Sequence, residues 1–245
     1  MIDLNSFPSS INVAIIGASG GIGGAIANEL SKQPSVNTIY ALSRHRPSDI
    51  SSKTNYIAMD ICAEEQIETA AKKIDNPLHI VIVASGILHD EHLSPEKTIK
   101  ALNADAMQHI FNVNTIGPAL VAKHFLPLLA RDEKSVFAAL SARVGSISDN
   151  AVGGWYSYRA SKSALNMIIK SASIEMARKY KKAAIIGLHP GTVDTKLSEP
   201  FQSNVKEGKL FSSTQSARYL LNVVNTISAA ETGKTFAWDG TEIAP

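Results

Sequence analysis

The sequence predicts an α/β fold: a doubly wound parallel sheet of about seven strands with helices on both faces. Three observations predict it. Six apolar runs of strand length, largely unbroken by charge, recur along the chain, as expected of strands buried on both faces. Helix-length segments separate them, and strand–helix alternation implies parallel strands joined by right-handed crossovers. The 245 residues and an apolar content of 44% suit one large domain, residues 1–245, with a sizeable core.

The elements follow in order. The run "INVAIIG" (11–17) is the first strand and leads through a Gly-rich turn into a helix over 22–33. "NTIYAL" (37–42) and "NYIAM" (55–59) are the second and third strands. A helix over 64–75 precedes the fourth, "LHIVIVA" (78–84). A long helical stretch, 95–130, leads to the fifth, "SVFAAL" (135–140). A helix over 156–180 precedes the sixth, "AAIIGL" (183–188). A helix over 213–229 precedes a weaker seventh, "KTFAW" (234–238). The stretch 190–212 is rich in Pro, Gly and Ser and lacks a strong period. It is too long for a simple connector and reads as a lid over a site.

Totals narrow the function. With 24 basic and 22 acidic residues, the net charge of +2 gives no reason to expect a nucleic-acid or membrane partner. The single cysteine, Cys62, makes neither an internal disulfide nor a metal site, and the seven histidines show no zinc spacing. The start "MIDLNSFPSS" lacks the basic and apolar blocks of a secretory signal, and no apolar run nears the ~18–20 residues of a membrane span. The expectation is a cytoplasmic protein without a metal.

The turn after the first strand carries Gly17, Gly21 and Gly23 as G-x-x-x-G-x-G, with Ser19, Gly20 and Ile22 between them. Glycines allow close backbone approach, and the following helix N-terminus offers free N–H groups to a pyrophosphate. A packing turn would look similar. The second strand ends in "ALSRHR", without the acidic residue that a free ribose 2′-hydroxyl favours. Ser43, Arg44 and Arg46 instead suit a 2′-phosphate, so NADP is expected in preference to NAD. Asp60, after the third strand, is placed either to accept from an adenine amino group or to cap the next helix.

Tyr158 and Lys162 stand four apart on a predicted helix, so their side chains meet. A phenol has a pKa near 10. A lysine charge about 5 Å away is worth roughly 3 kcal/mol at an effective dielectric of about 20. That equals roughly two pKa units, enough for proton transfer near working pH. A surface pair would have the same spacing. Ser141 ends the fifth strand, on the edge where ligands of such sheets bind, and can hydrogen-bond a substrate oxygen or cap backbone. Pro118 lacks an N–H, so the carbonyl of Asn114 loses its helix partner and is free to hold a water near Lys162. After the sixth strand, Pro190 and Gly191 stop the chain sharply, leaving Thr192, Val193 and Thr195 available to an amide.

These motifs, in this order over nearly the whole chain, resemble the short-chain dehydrogenase/reductase family. "SARVGSISDN…GGWYSYRASKSALN" is similar to its C-signal-factor/sniffer-like branch. The resemblance implies a Rossmann-type sheet, NAD(P) binding, carbonyl–alcohol interconversion and self-association. It implies a tetrad of Asn114, a serine, Tyr158 and Lys162, with Lys162 also on the nicotinamide ribose. Three departures stand out. Ile16 occupies the place of a usual Thr. "VASG", with Ala84, Ser85 and Gly86, replaces Asn-Asn-Ala-Gly beside the adenosine. The second serine of the usual Ser-Ser, the catalytic one, reads as Ala142. Ser141 is therefore the expected catalytic serine and Ser146 its rival.

The expected function is an NADP-dependent oxidoreductase acting on a small-molecule carbonyl or alcohol, with Tyr158 as acid/base. The alternative is a dinucleotide-binding signalling or regulatory protein with weak or vestigial turnover. The pocket-forming segments 87–95 and 190–212 carry no chemistry diagnostic of a substrate.

Overall fold

A computed structural model describes residues 2–245. In chain order its strands are β1 (Ile11–Ile16), β2 (Val36–Ser43), β3 (Thr54–Ala58), β4 (Ile80–Val83), β5 (Ser135–Leu140), β6 (Ala183–His189), β7 (Thr192–Val193), β8 (Leu210–Phe211), β9 (Thr235–Ala237) and β10 (Glu242–Ile243). The helices are α1 (Gly21–Ser31), α2 (Glu64–Ala71), α3 (Ala104–Phe111), α4 (Gly117–Phe125), α5 (Tyr156–Met176) and α6 (Ser213–Thr226). Eight strands form one sheet in the order β10-β9-β6-β5-β4-β1-β2-β3. All pair in parallel except β10, which runs antiparallel to β9.

The apolar runs are continuous because both faces of the sheet are covered. Val13, Ile15, Ile82, Ala138 and Ile186 face α1 and α6, where Ile26, Leu30, Leu220 and Val224 meet them. Ala14, Val81, Val83, Phe137 and Ile185 face the other side, against Ile67, Val121, Phe125, Leu165 and Ile169 of α2, α4 and α5. Neighbouring residues of one strand thus serve opposite cores. The chain order reverses between β1 and β4. The crevice beyond their carboxyl ends is where a sheet of this winding binds ligands.

Two expectations change. The sheet gains an eighth strand: after Ala237 the chain turns at Gly240 (φ +83°), and Glu242 returns beside Phe236. A two-residue strand is too short to show alternation. The predicted 95–130 helix is broken. Asn103 caps a later start, its side chain accepting from the Ala106 N–H at 3.0 Å. A π-turn, Asn112–Ile116, then separates α3 from α4. Pro118, which has no N–H, follows at that place, where the turn is wider than an α-helix.

The 190–212 stretch is closed on itself. β7 and β8 pair Thr192 with Leu210 and Val193 with Phe211, and a short 3-10 turn, Glu199–Asn204, lies between them. Gly191, at φ +78°, has no room for a side chain: a Cβ would lie 2.7 Å from the Phe211 ring and 3.1 Å from Trp238.

Candidate active site

The turn after β1 forms an open cradle. Gly17 has φ +86°, and a Cβ there would lie 2.8 Å from both the N and Oγ of Ser85. A Cβ on Gly23 would lie 2.3 Å from the Gly17 carbonyl oxygen. Only glycines let α1 start this close to β1 and let the segment after β4 touch the turn. Gly20 is the N-cap of α1 and no side chain caps the helix; Ser19, Gly20 and Gly21 are exposed, and Ile22 is half-buried. The methyl of Thr195 reaches over this end, 2.8 Å from where a Gly21 Cβ would stand. Pro190, Gly191 and Val193 lead to it from β6.

At the end of β2, the Ser43 hydroxyl donates to the His45 carbonyl at 2.7 Å. Arg44 and Arg46 are exposed, and neither forms an ion pair among the described residues. The Arg46 guanidinium lies 5.9 Å from the Tyr56 ring centre. Asp60 does not cap α2, whose N-cap is Ala63; its carboxylate accepts the Cys62 N–H at 2.9 Å within a turn.

Helix α5 carries Tyr158 and Lys162 on its buried face, 8% and 3% exposed. The Lys162 ammonium donates to the Leu140 carbonyl at 2.8 Å and lies 5.7 Å from the Tyr158 ring centre. A Cβ on Gly86 would be 3.6 Å from Lys162 Nζ and 3.4 Å from Asn114 Oδ1. Candidates from three distant parts of the sequence, Gly86, Asn114 and the Tyr158–Lys162 pair, therefore converge. Asn114 is fully buried in the π-turn. Its Oδ1 accepts the Ile87 N–H and its Nδ2 donates to the Ile87 carbonyl, both at 2.8 Å. Nδ2 also donates to Ser161 Oγ at 3.3 Å. The expectation for Asn114 concerned its backbone; its side chain turns out to clamp the segment after β4.

The charge balance differs from the spacing argument. Burial pushes the Tyr158 phenol up to about 12 and the Lys162 ammonium down to about 8. Loss of water around both groups outweighs the attraction expected from their separation. The phenol is accordingly neutral at pH 7 and holds its proton.

The serines are also differently disposed. The Ser141 hydroxyl donates to Asn166 Oδ1 at 2.7 Å, an oxygen that Thr235 Oγ1 also approaches at 3.3 Å. The next residue, Ala142, packs with Tyr158 and Leu88. Successive residues leaving a strand face opposite ways, so the side chain beside Tyr158 is a methyl. Ser146 is occupied elsewhere, accepting the Asp149 N–H at 3.1 Å and donating to the Pro245 carbonyl at 3.3 Å. His189, at the end of β6, has a buried Nδ1 without a partner among the described residues, and burial holds it neutral, at about 4.

Sequence reading missed the aromatic surroundings of Tyr158. Trp155 meets the Tyr158 ring edge-on, centroids 6.2 Å apart, and Phe201 of the 190–212 loop at 5.1 Å. His89 Nε2 lies 3.0 Å from the Lys196 carbonyl and joins the 87–95 segment to that loop. The only local signal was the tryptophan after two glycines.

A sequence profile of the short chain dehydrogenase family matches residues 12–206. The C-signal protein of Myxococcus xanthus is 31% identical over 137 residues, covering 56% of this chain and 77% of that protein. The NADPH-bound carbonyl reductase from chicken fatty liver superposes with a TM-score of 0.83 at 21% identity, covering 100% of this chain and 99% of the other. The carbonyl reductase Sniffer of D. melanogaster gives 0.82 at 22% identity, covering 97% and 99%. No helix among the described residues is long and apolar enough to cross a membrane.

Proposed function

Because the chain belongs to the short chain dehydrogenase family, we propose that it is an NADP-dependent oxidoreductase that reduces a carbonyl compound to an alcohol, with Tyr158 as proton donor. The observation that carries this reading is the meeting of buried Tyr158, Lys162 and Asn114 beside the exposed Gly86 at the carboxyl edge of the sheet. Bound NADPH would supply the hydride for the carbonyl carbon.

The residues fit that cofactor. A side chain at position 17 would press on Ser85 and one at 23 on the Gly17 carbonyl, so the turn keeps its backbone bare; the uncapped start of α1 offers N–H groups to a pyrophosphate through Ser19, Gly21 and Ile22, while the Gly20 N–H is held by the Gly17 carbonyl at 3.0 Å. The exposed Arg44 and Arg46 suit a 2′-phosphate, with Ser43 holding their turn through the His45 carbonyl, and the chicken enzyme of the same fold holds NADPH. Asp60 retains a carboxylate oxygen for an adenine amino group. Ala84, Ser85 and Gly86 flank the adenosine side. Pro190, Gly191, Val193 and Thr195 would hold the carboxamide, with the rest of the 190–212 stretch as the lid.

The neutral phenol of Tyr158 donates its proton to the carbonyl oxygen as negative charge develops there. Lys162, fixed on the Leu140 carbonyl, stabilises the phenolate left behind. Asn114 holds Ile87 and with it the wall opposite Lys162; its backbone carbonyl serves a water through which the proton is restored. Ser141 was expected to steady the substrate oxygen, but its hydroxyl is taken by Asn166, so Tyr158 acts there without a serine. An apolar groove between α4 and α5, lined by Ala119, Ala122, Leu126, Met167, Ile168 and Ala172, supports self-association.

The test follows NADPH absorbance with a panel of aldehydes, ketones and quinones. Tyr158→Phe should lower kcat by about 10²–10⁴-fold, the usual worth of a positioned acid, while NADPH still binds. Turnover that survives the change would refute Tyr158 as the donor. Tight NADPH binding with no turnover of any carbonyl by the wild type would favour the signalling reading, to which Ala142 and the similarity to C-signal lend support.

A further inference from the structure

Three consecutive residues before α5, Gly153, Gly154 and Trp155, have positive φ: 70, 65 and 51°. Glycines adopt this conformation freely, whereas a bulky side chain does so only under constraint. Glu96 supplies the constraint. It is 5% exposed, and its backbone carbonyl accepts the Trp155 N–H at 2.6 Å. Its carboxylate accepts the Ser157 N–H at 3.2 Å and also the Ser157 hydroxyl. One buried residue thus grips the chain on both sides of the helix start. Its negative charge faces the positive end of α5. Arg159 secures the same turn from within the helix, donating to the Gly154 carbonyl at 3.0 Å and the Val144 carbonyl at 3.3 Å.

The left-handed turn decides where the indole goes. It brings Trp155 edge-on to both Tyr158 and Phe201. Leu88, Ala142, Val144 and Leu197 complete an apolar surface around the phenol. With a methyl at position 142, a substrate beside the phenol meets the rings of Trp155 and Phe201 and aliphatic side chains, with His89, edge-on to Phe201 at 5.5 Å, as a polar neighbour.

We propose that Trp155 is the specificity-determining wall of this site, selecting carbonyl compounds with a flat apolar body, and that Glu96 is the positioning residue that holds it. The inference rests on the reductase reading and names the class of substrate for it. Glu96 acts through Trp155 and the start of α5 and touches no reacting atom.

The experiment compares kcat/KM for NADPH-dependent reduction of 2-naphthaldehyde and propanal. In Trp155→Ala the ratio of the two should fall about tenfold, the worth of an aromatic edge contact, through KM for the naphthyl compound. Glu96→Ala should lower the same ratio, and Glu96→Gln, which keeps an acceptor for the Ser157 N–H, should restore most of it. A merely structural Glu96 would depress both aldehydes alike and move no ratio. A ratio that stays at the wild-type value in Trp155→Ala, or in Trp155→Leu should the alanine variant not fold, overturns the proposal. Calorimetric binding of 2-naphthalenemethanol needs no turnover and separates the two readings. Binding that depends on Trp155, in a protein that reduces no aldehyde, ketone or quinone, refutes the reductase and leaves Trp155 as the wall of a pocket for flat apolar ligands. Binding indifferent to Trp155, in a protein that reduces both, does the reverse.

Discussion

Burial moves Tyr158 and Lys162 in opposite directions, the phenol up to about 12 and the ammonium down to about 8. The spacing in the sequence revealed which two side chains would meet. It carried no information about how little water would surround them, and that decides the sign. The lysine has a measurable signature. Below pH 8 both folded and unfolded chains keep its proton, and the cost of the buried charge is present in full. Between pH 8 and 10.5 the folded chain releases the proton first and the cost disappears. Lys162→Met should therefore stabilise the protein at pH 7 by about 2 kcal/mol, after allowing about 1 for the lost bond to Leu140. The gain should shrink as the pH rises toward 10. Urea unfolding of both proteins at pH 7 and 10 measures it; a constant difference would contradict the assignment. The serines give a second contrast. Ala142→Ser restores a hydroxyl beside Tyr158 and should raise kcat/KM for carbonyl reduction about tenfold, the worth of one net hydrogen bond. Ser141→Ala breaks the bond to Asn166 and should cost about 1 kcal/mol of stability in an unfolding titration. A collapse of kcat in that variant would return the catalytic role to Ser141.

The start of α1 depends on the absence of a side chain at Gly23, where a Cβ would sit 2.3 Å from the Gly17 carbonyl. The contact is backbone on backbone, so no rotamer can relieve it. Gly23→Ala should shift the helix, cost about 1–3 kcal/mol in thermal unfolding and weaken NADPH binding in a fluorescence titration. Unchanged affinity would show that the helix start is not where the pyrophosphate lies. This element was legible because glycine spacing and a following helical run are local signals. The π-turn was legible only in part: Pro118 announced a break, but the side-chain clamp from Asn114 to Ile87 spans 27 residues. The link from Glu96 to Ser157 spans 61. Contacts this distant leave no periodicity behind, and tertiary packing alone creates them.

Across the molecule, the sheet gathers the ends of β1, β2, β4, β5 and β6 along one edge, so pieces of the site spread from Gly17 to Thr195 become neighbours. The winding was legible because strands buried on both faces read as unbroken apolar runs; β10, with two residues and one buried side chain, did not. The opposite side of α5 bears on assembly. Met167 is 66% exposed at the mouth of the largely apolar α4–α5 groove. If copies associate there, Met167→Glu should shift the sedimentation velocity distribution to the monomer; identical profiles would exclude that face. The 190–212 loop is stitched at both ends. Because β7 and β8 fasten both margins, the interior between them can lengthen or shorten with only about 0.6 kcal/mol per doubling and without disturbing Gly191 or α6. The loop is thereby a segment whose length is decoupled from the sheet that carries Tyr158 and Lys162.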